Sequence, residues 1–60
     1  MNSSELKRLL RKRGCTFEPG KGSHMIVRLG KRRSELPMHG SRKELGTGVV
    51  NKILKELGLK

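Results

Sequence analysis

HMIVRLGKRRSELPM, residues 24–38, decides how this 60-residue chain folds. From His24 to Leu29 the side chains alternate, with Met25, Val27 and Leu29 on one face and His24, Ile26 and Arg28 on the other. Gly30-Lys31 then supplies a tight hairpin connection, and Arg33 to Met38 reads as a third strand. Pro37 cannot donate to a ladder, so its place near the end of that run marks an edge strand.

Working backwards, Pro19-Gly20-Lys21-Gly22 is a turn, and Cys15-Thr16-Phe17-Glu18 before it has strand-forming residues in alternation. Residues 3–13 form a helix: Leu6, Leu9 and Leu10 fall at i, i+3, i+4. Asn2 and Glu5 are spaced for a capping box, and Gly14 stands where a helix C′ glycine belongs. Working forwards, His39-Gly40-Ser41 opens a loop that carries Arg42 and Lys43. Gly46 or Thr47 begins a second helix that ends near Leu57, before Gly58. Val49, Val50, Ile53, Leu54 and Leu57 are its apolar face. The chain is therefore expected to be an α+β protein of order α-β-β-β-α, with a three-stranded antiparallel sheet and two helices on one face. Double-stranded-RNA-binding domains share that order. Residues 1–60 are expected to form a single domain with a thin core.

Composition narrows the chemistry. Fifteen Lys and Arg stand against five Asp and Glu, a formal charge of +10. So much charge of one sign points to a polyanionic partner, nucleic acid first. With no Trp, no Tyr and one Phe, the chain lacks the rings for stacking bases on aromatic platforms. Contacts to phosphate and sugar are expected instead. A single cysteine, Cys15, excludes an internal disulfide and a multi-cysteine zinc site, and reads as a small packing residue. The opening MNSSELKRLL has no apolar signal region, and no apolar run approaches the roughly 20 residues of a spanning helix. A cytoplasmic protein without membrane contact is expected.

Two histidines are present, His24 and His39, and neither has a carboxylate or a further histidine at ligand spacing. No metal and no cofactor are expected. His24 follows Gly20-Lys21-Gly22-Ser23, at the junction of a turn and a strand, with Arg28 on its own strand face. An imidazole titrates near neutrality, and RNA carries its own nucleophile in the 2′-hydroxyl. One histidine beside a few cations can thus cleave RNA by proton transfer at a held phosphate. The residue types alone also admit a turn histidine with no role. His39 after the third strand has two readings, a second proton donor for the leaving 5′-oxygen or a loop residue capping backbone groups. Arg28, Lys31, Arg32 and Arg33 gather around the hairpin and are candidate phosphate contacts, or a charged edge that discourages sheet-to-sheet pairing.

Three segments together resemble the HicA family of mRNA interferase toxins along nearly the full chain: MNSSELKRLLRKRGCTF at the start, GKGSHMIVR from Gly20 to Arg28, and LPMHGSRKELGTGVVNKILKELGL. The Gly-Ser-His of the middle segment alone is too short to be specific. The resemblance implies the double-stranded-RNA-binding-like fold and cleavage of mRNA, as single-stranded RNA, independently of the ribosome. It also implies growth arrest by the free toxin and a HicB-type antitoxin that covers its active site. By that resemblance His24 is the catalytic residue. On the residue reading, Lys21, Gly22, Ser23, Arg28, Lys31, Arg32 and Arg33 are the candidate RNA contacts and His39 a candidate auxiliary group. The chain departs from many relatives at Met25, where they carry a second histidine, so no adjacent histidine pair exists. A small basic RNA-binding module without catalytic activity is the alternative.

Overall fold

The computed structural model describes residues 1–38 and 43–60. The expected role of His39, and the loop start from His39 to Arg42, lie outside the described residues. Five elements follow in order: α1 (Ser3–Lys12), β1 (Thr16–Pro19), β2 (His24–Leu29), β3 (Arg32–Pro37) and α2 (Thr47–Glu56). The strands form one antiparallel sheet of order β1-β2-β3, with β2 in the centre and Pro37 on an edge strand as expected. The first strand begins one residue later than Cys15, and the third runs Arg32–Pro37 rather than Arg33–Met38.

Local chemistry sets the ends of α1. Asn2 Oδ1 accepts from the Glu5 N–H at 2.8 Å, and Glu5 Oε1 accepts from the Asn2 N–H at 2.9 Å, so the capping box is closed. The Gly14 N–H returns to the Arg11 carbonyl at 3.1 Å. Leu6 and Leu10 from this helix, Cys15, Val27 of β2, Leu36 of β3, and Ile53 and Leu57 of α2 form one buried cluster. Burial pushes the Cys15 thiol up, which keeps it neutral as a packing group.

Two serines satisfy buried polar positions between layers. Ser3 Oγ donates to the Pro37 carbonyl at 2.6 Å, tying the start of α1 to the end of β3. Ser34 Oγ donates to Glu56 Oε1 at 2.6 Å, tying β3 to the last turn of α2. An Asn2–Glu44 bridge, the Leu45 N–H on the Met1 carbonyl at 2.8 Å and an ion pair from the N-terminal ammonium to Glu44 fix the segment entering α2. Val49, expected on the apolar face of α2, is instead 42% exposed. It stands at the flank of the stripe, lining an open hollow with Arg33, Glu35 and Lys52, while its neighbour Val50 packs against the core. Among the described residues no helix is long and apolar enough to cross a membrane.

Candidate active site

Strand alternation puts His24, Ile26 and Arg28 on the sheet face away from Val27, where they stand opposite Pro37, Glu35 and Arg33 of β3. The backbone of His24 is held from several sides. Its carbonyl accepts from the Gly20 N–H at 3.0 Å, and its own N–H reaches the Lys21 carbonyl at 3.2 Å. Next to it, the Ser23 carbonyl accepts from the Met38 N–H at 3.0 Å. The turn closes so tightly that a Cβ on Gly20 would stand 2.7 Å from the His24 carbonyl oxygen. Gly22, at φ 63°, takes the left-handed conformation inside the same turn.

His24 is half-buried and lies where two hollows meet. One is a cleft of about 400 Å³ along the outer edge of β3, bounded by Arg33, Glu35 and Pro37 on the strand and by Val49, Lys52 and Glu56 on α2. The other, about 450 Å³, is lined by Lys21, Gly22, Ser23 and Glu35. Lys21, Arg33 and Lys52 therefore bring three cations to the space around one imidazole, and Glu35 borders both hollows.

The expected site residues divide. Lys21, Gly22, Ser23 and Arg33 line a hollow together with His24. Lys31 and Arg32 lie at the other end of β2 and β3, about 17 Å along the strands. Arg32 lies against Gly58, where a Cβ would come within 2.7 Å of its Nε, so its guanidinium rests at the C-terminal end of α2. Arg28 donates through Nε to Glu18 Oε1 at 2.5 Å across the β1–β2 pair. Lys52 and Glu35 were missed by sequence reading. Glu35 had a legible signal, since it alternates on the same strand face as Arg33 and Pro37. Lys52 had none, because only the packing of α2 on β3 brings it near. Among the described residues no group of three His, Cys, Asp or Glu side chains is placed to hold a metal ion.

A three-stranded antiparallel sheet backed by two helices, with a histidine and cations at one sheet edge, defines a small basic α+β domain of the double-stranded-RNA-binding-like class. Residues 3–59 match the family described as HicA toxin of bacterial toxin-antitoxin, and the chain belongs to that family. It is 45% identical over 60 residues to a probable mRNA interferase HicA of Pseudomonas fluorescens (strain Pf0-1), covering all of this chain and 98% of that one. It is also similar to a chain in the crystal structure of the E. coli HicAB toxin-antitoxin complex, with a TM-score of 0.85 and 34% identity. That likeness covers 97% of this chain and 98% of the other.

Proposed function

We propose that this chain is an mRNA interferase toxin that cleaves single-stranded mRNA without a metal ion, with His24 transferring protons at the scissile phosphate. The observation that carries the reading is the convergence of Lys21, Arg33 and Lys52 on hollows bordered by the half-buried His24. Cations there hold the phosphate and favour the charge that builds on it as the 2′-hydroxyl attacks. A positioned imidazole moves a proton, which contributes about 10²- to 10⁴-fold to such reactions. The turn fixes the His24 backbone, and with it the point from which the side chain projects, beside both hollows.

The partner that restrains this activity is a HicB-type antitoxin, as in the E. coli complex of similar fold. A net charge of +10 favours a partner with acidic surface, and the place of work is the cytoplasm. The test is cleavage of an unstructured RNA in excess EDTA by the wild-type protein and by His24→Ala. Cut RNA from the wild type and a loss of about 10²-fold or more in the variant are expected. A wild type that binds RNA and leaves it intact would reduce the chain to a binding module. Unchanged cleavage by the variant would remove His24 from the mechanism.

A further inference from the structure

The chain has five carboxylate side chains, and four have evident structural work. Glu5 closes the capping box of α1, and Glu18 receives Arg28 across the sheet. Glu44 pairs with the N-terminal ammonium, and Glu56 accepts from the buried Ser34 hydroxyl. Glu35 is different. It is exposed, and among the described residues it has no hydrogen-bonding or ionic partner. It borders both of the hollows that His24 borders. A carboxylate there repels the phosphate that the neighbouring cations attract, so it weakens binding and contributes nothing visible to folding. Such a placement is explained if the carboxylate acts on the substrate.

Register places the two groups. Ile26 pairs with Glu35 and His24 with Pro37, which makes His24 and Glu35 diagonal neighbours on one sheet face. Their Cβ atoms are then about 7 Å apart, and both residues line the same cleft. That spacing leaves room for a phosphate between the two groups. Lys21 on one side and Arg33 and Lys52 on the other supply the positive charge that lets a phosphate sit beside a carboxylate.

We infer that Glu35 is a second catalytic residue, acting as the general base while His24 acts as the general acid; the inference rests on the His24 reading above. An ionised carboxylate only accepts, so Glu35 takes the proton of the 2′-hydroxyl. The freed 2′-oxygen bonds to phosphorus, and the bond from phosphorus to the 5′-oxygen breaks. Protonated His24 gives its ring proton to that 5′-oxygen. The products are a 2′,3′-cyclic phosphate and a 5′-hydroxyl, with one proton gained by Glu35 and one lost by His24. Exchange with water resets both.

The test compares wild type, Glu35→Gln and His24→Ala on an oligoribonucleotide whose wild-type cleavage site has been mapped. A second version of the oligonucleotide carries sulfur in place of the 5′-bridging oxygen at that site. Sulfur leaves without needing a proton, so it bypasses a general acid and not a general base. On ordinary RNA each variant is expected to lose about 10²-fold or more in cleavage rate. On the sulfur-bridged RNA, His24→Ala recovers most of its rate and Glu35→Gln does not. Affinity of Glu35→Gln for the uncleavable 2′-deoxy oligonucleotide stays equal or rises, because a negative charge has left the cleft. Wild-type cleavage of ordinary RNA by Glu35→Gln overturns the inference and leaves His24 standing. Weakened binding together with slowed cleavage overturns it in favour of a structural role. Sulfur rescue of Glu35→Gln instead of His24→Ala overturns the assignment of base and acid. Full activity of His24→Ala on ordinary RNA refutes the underlying reading and the pair with it.

Discussion

Replacing Gly20 by Ala should lower both stability and cleavage, although the new methyl is far from any reacting atom. Gly20 has no positive φ, so alanine can adopt its backbone conformation. By itself that swap would stabilise the chain by about 0.4–1 kcal/mol, through a less disordered unfolded state. Space is the obstacle. The Cβ would stand 2.7 Å from the His24 carbonyl oxygen, 3.2 Å from its carbon and 3.3 Å from Ile26 Cγ1. Relief to ordinary contact needs a shift of about 0.7 Å between two backbone segments. Those segments are joined by the 3.0 Å bond from Gly20 N–H to the His24 carbonyl, which would stretch past hydrogen-bonding range. Losing it costs about 1 kcal/mol, and forcing atoms into filled space costs about 1–3 kcal/mol more. The balance is a net destabilisation of about 1–3 kcal/mol. In a domain this small each kcal/mol lowers Tm by about 4–8 °C. Because His24 itself moves, cleavage should fall by up to about 10²-fold. Thermal unfolding followed by circular dichroism, with the EDTA cleavage assay below the lower Tm, measures both. Gly48→Ala, in the first turn of α2 with open space around it, is the control and should raise Tm. A Gly20→Ala protein that melts and cuts like wild type would refute the claim that this turn holds His24 in place.

Asn2→Ala removes one half of the capping box and should cost about 1 kcal/mol, read as a shift in urea midpoint with unchanged m-value. Leu36→Ala empties a fully buried position on β3 and should cost about 2–5 kcal/mol, enough to leave so small a domain largely unfolded at 37 °C. Lys52→Ala should reduce the slope of log affinity against log salt for single-stranded RNA by about 0.7, whereas Lys31→Ala should change it little if RNA follows the cleft beside His24.

Much of this molecule is legible in local pattern, because neighbours along the chain decide it. The alternation of residues 24–29 fixes which side chains share a face with His24, and Gly30-Lys31 turns the chain back so that Ile26 meets Glu35. Asn2 and Glu5 set the start of α1 by spacing alone. The family was legible as well, since the segments around Gly22-Ser23-His24 and at the C-terminal end carry it. Tertiary packing decided the rest of the candidate site. Arg28, Lys31, Arg32 and Arg33 look like one cluster in the sequence. Strand length and side-chain partners separate them, because Lys31 and Arg32 sit at the far hairpin, Arg28 is held by Glu18, and Arg33 alone lines the cleft with His24. Lys52 is 28 positions from His24 and reaches the cleft only because the apolar stripe of α2 docks on β3. The same docking leaves Val49 at the cleft mouth instead of in the core. Periodicity reports which face of an element is apolar; where that face stops being covered, and which charges stand at its rim, depends on how two elements distant in sequence cross.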